Sequence, residues 1–400
     1  MPSTPALQFI GLAKKRLAAI RRDVPKLTEL GEKMAAPLLE GGDLFPQPVA
    51  KFWPSEFSYR AGGMMGLRHT TPSKPKDVAY FAIPDPRRWK PAEDKTLQQL
   101  LASKAQLFAI GRPDEVKGLD LKRFAGFTGG SEANAGLYSL PPFTPLCPLR
   151  PFEQIVRGWL TGGEMICACT RGGKMPILWM SVWLEGALVR NGAFTTHNNR
   201  NEPWSTPLFQ PDWYVPPLPK GYAAGEFMRE LDKIIARLEK QHAALAKAGE
   251  WMAQAFKARK KIWTILVGHS YPEILERPEG SQHPLEWGAS NSNLSTAVPE
   301  RFGPGDVALH LGYAPVDVAK VARILKRGIR FIYTSPYGRP AELKDHKNLI
   351  WLDLPWRPAD ATVDIPGYSV RMMPMSSSAE TVALFAMLSE MGERMKWNHR

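Results

Sequence analysis

Cysteine is scarce: the 400 residues hold three, Cys147, Cys167 and Cys169. An odd, low count excludes a disulfide scaffold and fits a reducing compartment. Cys167-Ala-Cys169 has the wrong spacing for a zinc knuckle or a redox pair, so buried free thiols, and no metal, are expected. No apolar run reaches about 18 residues, which leaves no candidate membrane span. The opening MPSTPALQFIGLAKKRL lacks the apolar stretch of a secretion signal, and a cytoplasmic location is the expectation. HExxH, DxDxDG, GxSxG, Walker A and dinucleotide fingerprints are all missing, so no cofactor is expected.

Positive charge, by contrast, is in excess: 52 Lys and Arg against 39 Asp and Glu, a formal +13. Such a balance suits nucleic acid, an anionic surface or a phosphorylated ligand. The basic residues are dispersed, however. The densest clusters, Lys14-Lys15-Arg16 with Arg21-Arg22 and the run from Lys257 to Lys261, fall on predicted helices and read as solvated faces. No aromatic residues interleave with them as a single-strand platform requires, so nucleic acid rests on charge alone and is the lesser reading. The length suits two domains of about 150–200 residues.

Two stretches have the same grammar. Residues 77–111 open on Asp-Val-Ala and an apolar run, pass a Pro-containing loop, then a helical pattern, then a second apolar run; residues 306–335 do the same. Each is a strand–helix–strand unit, and an internal repeat predicts a duplicated architecture. Long helical patterns precede both units, at 5–38 (interrupted by Pro25) and at 225–258. A clear β-branched strand, Ile262 to Val267, follows the second pattern; after the first, GGDLFPQPVAKFW is a poor strand because of its prolines. Gly136 to Leu140 and Ala361 to Ile365 each read as a short strand before a closing helix. The segment from Asn191 to Gly221 has no periodicity and reads as a linker or ordered strap. The expected division is 1–190, a strap over 191–224, and 225–400.

This order of elements, with a Ser-rich loop opening the last helix, resembles the SIS (sugar isomerase) domain, which occurs in tandem within single chains. Phe57-Ser58-Tyr59-Arg60-Ala61-Gly62-Gly63 is similar to the FYRAGG segment of SIS-type phosphosugar-binding proteins, with Ser58 as an extra residue. The run from Ala359-Asp360 to Ile365-Pro366 and on to Met375-Ser376-Ser377-Ser378 resembles the ending of many SIS domains. The resemblance implies two three-layer αβα domains with parallel sheets, and a phosphorylated sugar as ligand. The usual Ser-x-Ser-Gly-x-Thr loop after the second strand is absent; Gly312-Tyr313-Ala314-Pro315 and Pro84-Asp85-Pro86 stand there instead.

Open parallel sheets bind ligands at the carboxyl ends of their strands. In the second half that edge gathers Gly268-His269-Ser270, Thr334-Ser335 with Arg339 behind them, and Ser376-Ser377-Ser378 before a helix. Hydroxyls, free N–H groups and a helix N-terminus suit a phosphate, and Arg339 or Arg371 offers a bidentate contact. Plain N-capping by Ser378 and ordinary turn chemistry explain the same residues. Isomerisation between aldose and ketose needs a base and an acid, and Glu380 and His269 are the candidates; a Glu that merely supports a helix end and an ordinary loop His are the bland alternatives. His310 reads as a satisfied core histidine. Thr128-Gly129-Gly130-Ser131-Glu132 is a further anion loop or a surface turn, and Pro148-Leu149-Arg150 stands where the second half has its serines, which makes the first half mainly structural. Two functions remain open: binding of a phosphosugar with or without isomerisation, and a non-catalytic protein for sensing or assembly, which the missing hydroxyl loop favours. Self-association is also an expectation, since SIS domains commonly pair.

Overall fold

The computed structural model describes residues 4–87, 89–130, 136–140, 146–195, 206–266, 284–290, 301–344 and 346–399. The chain opens with α1 (Pro5–Leu39), started by Thr4, whose hydroxyl accepts from the Leu7 N–H at 3.3 Å. Its buried stripe includes Phe9, Ile10, Leu17, Ile20, Leu27 and Met34. Pro25 does not interrupt the helix. A proline inside a helix costs about 3 kcal/mol, less than burial of that stripe returns at roughly 1.5–3 kcal/mol per large side chain.

The first parallel sheet follows: β1 (Leu44–Pro46), β2 (Val78–Ala82), β3 (Gln106–Ile110) and β4 (Phe124–Phe127), in that spatial order. The proline-laden stretch does form a strand, at the edge, where a missing N–H breaks no ladder. Short helices α2 (Phe52–Phe57) and α3 (Lys95–Ala102) lie between strands. The predicted strand near 136–140 shrinks to β5 (Tyr138–Ser139), which joins neither parallel sheet; it pairs antiparallel with the last strand of the chain. The closing helix of this half is α4 (Leu149–Arg171), buried on almost every side. Helix α5 (Ala187–Thr195) occupies the start of the expected strap, and 206–221 then run along the first half, with the Ile177 N–H donating to Leu208 O and the Gln210 N–H to Met175 O.

The second half opens on α6 (Tyr222–Lys240) and α7 (His242–Lys257), one predicted helical stretch broken at Gln241. Five strands follow: β6 (Ile262–Leu266), β7 (Glu286–Ser290), β8 (Val307–Leu311), β9 (Arg330–Ser335) and β10 (Leu349–Asp353), with α8 (Val318–Lys326) between β8 and β9. All pair in parallel, in the spatial order β7-β6-β8-β9-β10. The predicted strand at 361–365 is β11 (Ala361–Val363), in an antiparallel ribbon with β12 (Met372–Pro374) rather than in the sheet. Helix α9 (Ser376–Met395) and β13 (Asn398–His399) end the chain.

Helices α1, α4, α6, α7 and α9 pack on one another between the two sheets: α1 and α4 touch the first, α6 and α7 the second. On the far face of the second sheet, α8 covers a smaller core around Trp263, Phe302 and Phe331. The architecture is α/β, two parallel sheets each layered with helices. Each closing helix also caps the opening helix of the other half. Glu164 on α4 accepts from Gly221 N and Ala224 N at the start of α6, and Glu390 on α9 accepts from Ala6 N at the start of α1. The three cysteines are buried and free, and burial pushes the thiols of Cys167 and Cys169 up to about 12. Among the described residues no helix is long and apolar enough to cross a membrane.

The central helices meet backbone to backbone at two glycines. A Cβ on Gly31 would lie 2.7 Å from Met165 N, and one on Gly249 would lie 2.4 Å from the Glu390 Cβ and 2.8 Å from Met387 O. Gly31→Ala and Gly249→Ala should therefore each lower the unfolding free energy by about 1–3 kcal/mol. Gly11, with open space around it, is the control: Gly11→Ala should be neutral or gain up to about 1 kcal/mol. Urea denaturation of the three variants reads both signs.

Candidate functional site

Strand order locates the crevice. In the second sheet the chain runs outward to β7, returns past β6 to β8, and then proceeds to β10, so the direction of winding reverses between β6 and β8. Ligands of open α/β sheets sit at that reversal, outside the carboxyl ends. The first sheet, winding β1 to β4 in one direction, has no reversal among its described strands. Its carboxyl edge is closed by α4. Arg150 donates to the carbonyls of Ile83 and Pro84 and pairs with buried Glu115, Gln154 donates to Ile83 O and Ile110 O, and Arg157 donates to Thr128 O. Thr128 accepts from Gly111 N; Ser131 and Glu132 lie outside the described residues.

At the second edge a buried polar cluster joins the halves. Asp360 Oδ1 accepts from Met375 N at 3.1 Å and Ser376 N at 2.8 Å, so its carboxylate caps α9. Its Oδ2 accepts from Arg60 Nη2 and from the Ser376 hydroxyl, both at 3.1 Å. Arg60 reaches Glu56 Oε2 with Nη1 at 2.6 Å, and gives further hydrogen bonds to Ser377 Oγ and, at 2.8 Å, to Ser376 Oγ. Ser377 passes its own proton to Glu56 Oε2, while Trp159 donates to Glu56 Oε1 at 2.7 Å. Arg60, Glu56, Asp360, Ser376 and Ser377 are all at most 1% exposed.

One guanidinium thus faces two carboxylates, all three buried from bulk solvent. Burial pushes the Glu56 carboxyl up, against the opposing pull of Arg60, Trp159 and Ser377. Burial also works against the charge of Arg60, but Glu56 and Asp360 outweigh it and hold the guanidinium above its usual value. Tyr313, on the loop after β8, has its hydroxyl pushed up by burial and then by Asp360. The backbone is strained here: Tyr59, Ala359, Asp360 and Met373 all have positive φ, at 57°, 70°, 75° and 67°. Such conformations cost of order 1–3 kcal/mol each and persist only where the surroundings dictate them. The Arg-Ala-Gly-Gly motif explains itself: Arg60 enters the cluster, and Gly62, at φ +78°, lets the chain press on β12, where a Cβ would lie 2.7 Å from Met373 N.

The predicted residues divide into three groups. Thr334 and Glu380 come together, the threonine hydroxyl 3.1 Å from Glu380 Oε1 and 3.0 Å from His310 O. Ser335 accepts from Tyr337 N, and Ser378 Oγ is buried with no partner among the described residues, so it is not the helix cap; Asp360 takes that role from outside the helix. Ser376 and Ser377 are buried and committed to Arg60 and the carboxylates, because burial of two acids demands every donor at hand. Arg339 turns away and donates to Leu343 O within its own loop, and Arg371 pairs with Asp364 at the surface; neither reaches the serines. Gly268, His269 and Ser270 lie outside the described residues. His310 is buried, its ring 4.0 Å from that of Tyr333 and 4° from parallel; it is a core histidine. Sequence reasoning passed over Glu56 and Trp159, and quoted Asp360 and Tyr313 within longer stretches without giving either a place in the site. Among the described residues no group of His, Cys, Asp and Glu could hold a metal ion.

No protein-family model and no curated protein matches the chain. Solved structures give distant likenesses. The C-terminal domain of glucosamine-fructose-6-phosphate aminotransferase from Francisella tularensis aligns at 9% identity over 95% of this chain and 97% of its own, with a TM-score of 0.48. A provisionally assigned phosphosugar isomerase from Silicibacter pomeroyi DSS-3 aligns at 11% identity over 98% and 99%, TM-score 0.46. A provisionally assigned sugar binding protein from Salmonella typhimurium LT2 aligns at 9% over 94% and 98%, TM-score 0.42.

Two variants test the cluster. Arg60→Met strands two buried acids and should cost about 3–5 kcal/mol; adding Glu56→Gln and Asp360→Asn should restore most of it, read by denaturant melts. Burial lowers the His310 pKa to about 3, so below about 6.5 the unfolded chain takes the proton first. Stability present above that pH should decline down to about 3, and His310→Phe should flatten that part of the pH–stability curve.

Proposed function

We propose that this chain is a double SIS-type protein that binds a phosphorylated sugar or sugar derivative at the carboxyl edge of its second sheet, without isomerising it. One observation carries the reading: the start of α9 offers two backbone N–H groups, the Ser376 hydroxyl and the Arg60 guanidinium to a single carboxylate, Asp360. That is the donor set an anion requires. A phosphate entering there takes the place of Asp360, with Arg60, Ser376 and Ser377 as its partners. Tyr313, Thr334, Ser335 and Glu380 surround the same edge and suit the hydroxyls of a sugar. Glu380 is held by Thr334 in a fully buried position, which fits a positioning group better than a base that must reach a carbon-bound proton.

The second reading is a sensing or assembly protein without a sugar ligand. It draws on the same carboxylate: an anion site filled by the chain's own Asp360, beside a first half whose edge is filled by Arg150 and Gln154, has no vacancy for phosphate.

Thermal shift with fructose 6-phosphate, glucosamine 6-phosphate and inorganic phosphate separates them. A ligand at a hundred times its Kd should add about 2.7 kcal/mol, and more to Asp360→Asn, where the resident charge is gone, than to the wild type. Ser377→Ala should reduce the shift. Absence of any shift in both wild type and Asp360→Asn favours the second reading. Aldose–ketose turnover that disappears in Glu380→Gln would overturn binding without isomerisation.

A further inference from the structure

We infer that the cavity beside Ser58 and Tyr59 is a second ligand site, one that takes a single uncharged sugar ring. It lies on the opposite side of the FSYRAGG segment from Arg60 and stands independently of the phosphate reading. Ser58, Tyr59, Met64, His69, Trp179 and Thr206 are among its walls, and its volume is about 190 Å³. An apolar cavity of about 150 Å³ accepts a benzene ring, so this one fits a six-membered ring with small substituents.

The lining selects the chemistry. Among the described residues no Asp, Glu, Lys or Arg lines the cavity, so the described walls carry no charge to neutralise a phosphate or an ammonium. Burial lowers the pKa of His69, which keeps the ring neutral near pH 7. Three rings form a corner: Tyr59 lies parallel to His69, with centroids 5.7 Å apart, and 5.6 Å from Trp179 at a 46° tilt. Aromatic faces of this kind accept the C–H face of a pyranose, which is flat, apolar above and below, and polar at its rim. The corner is rigidly set, because Trp179 exchanges backbone hydrogen bonds with the RAGG turn: Gly62 N to Trp179 O and Trp179 N to Gly63 O, both at 2.8 Å.

Two features make it a site rather than a packing gap. Ser58 is a wall of the cavity, and its buried hydroxyl has no hydrogen-bond partner among the described residues; an unpaired buried hydroxyl is costly until something supplies a partner, and a sugar hydroxyl seated there would do so. Tyr59 is a bulky residue at φ +57° with more than half of its surface exposed. An aromatic side chain at positive φ is an outlier, and this one places its ring among the walls of the cavity.

The test is calorimetric titration of the full chain with methyl glucoside, methyl N-acetylglucosaminide and, as an aromatic control, indole. At least one glycoside should bind with a Kd below about 1 mM, and inorganic phosphate should not compete. Tyr59→Gly should weaken binding about tenfold while leaving the melting temperature equal or higher, since glycine suits φ +57°. Ser58→Ala should raise the melting temperature of the free protein and weaken binding several-fold. No glycoside binding at about 10 mM, indole binding alone, or a Tyr59→Gly variant that binds as well as the wild type would overturn the inference. None of these outcomes depends on the phosphate experiment.

Discussion

The rest of the structure depends on one buried arginine held between two acids. Arg60 comes from the first half and Asp360 from the second, and neither can be left alone in the interior. A buried ion pair is weak evidence of net stability, but removing one partner from it is severe. The cluster therefore acts as a specificity device. It fixes where the RAGG turn meets the start of α9, and it forces the flanking residues, Tyr59 and Ala359 among them, into backbone conformations they would otherwise avoid. Ser376 and Ser377 then serve as hydrogen-bonding bridges, each accepting from Arg60 and donating to a carboxylate.

The two sheet edges solve the same problem differently. In the first half, long donors from α4 reach the terminal carbonyls of β2 and β3 directly, and the edge is finished as structure. In the second, short hydroxyl side chains and a glutamate take those places, and the helix end is satisfied by a residue 15 positions earlier in sequence, Asp360. A long side chain that fills a crevice leaves no room for a ligand, whereas a separate acid on a loop is exchangeable in principle for another anion. This asymmetry is why the function is read from the second half.

Much of the framework was legible in sequence. β2, β3, β8 and β9 are continuous apolar runs, the signature of strands buried on both faces, and the amphipathic spacing of α1 and α6–α7 marks the helices that pack between the sheets. Three strands of the parallel sheets escaped. β4 is four residues with a glycine, β7 is short and polar at its start, and β10 follows a charged turn that hides its apolar run. The antiparallel ribbons at 361–374 and at the chain's end were misplaced because a short strand's sequence does not specify its partner. At the site, hydroxyls adjoining strand ends were visible, since one edge collects them. The acids that neutralise Arg60 were not: Glu56 sits on a short helix and Asp360 on a loop, about 300 positions apart, and only tertiary packing unites them.

The crossed capping of the long helices has its own consequence. Because Glu164 serves the helix that begins the second half and Glu390 the helix that begins the first, neither half carries all the groups its own opening helix needs. Severed within the strap, each fragment would carry an opening helix short of one acidic partner, and a bare apolar flank.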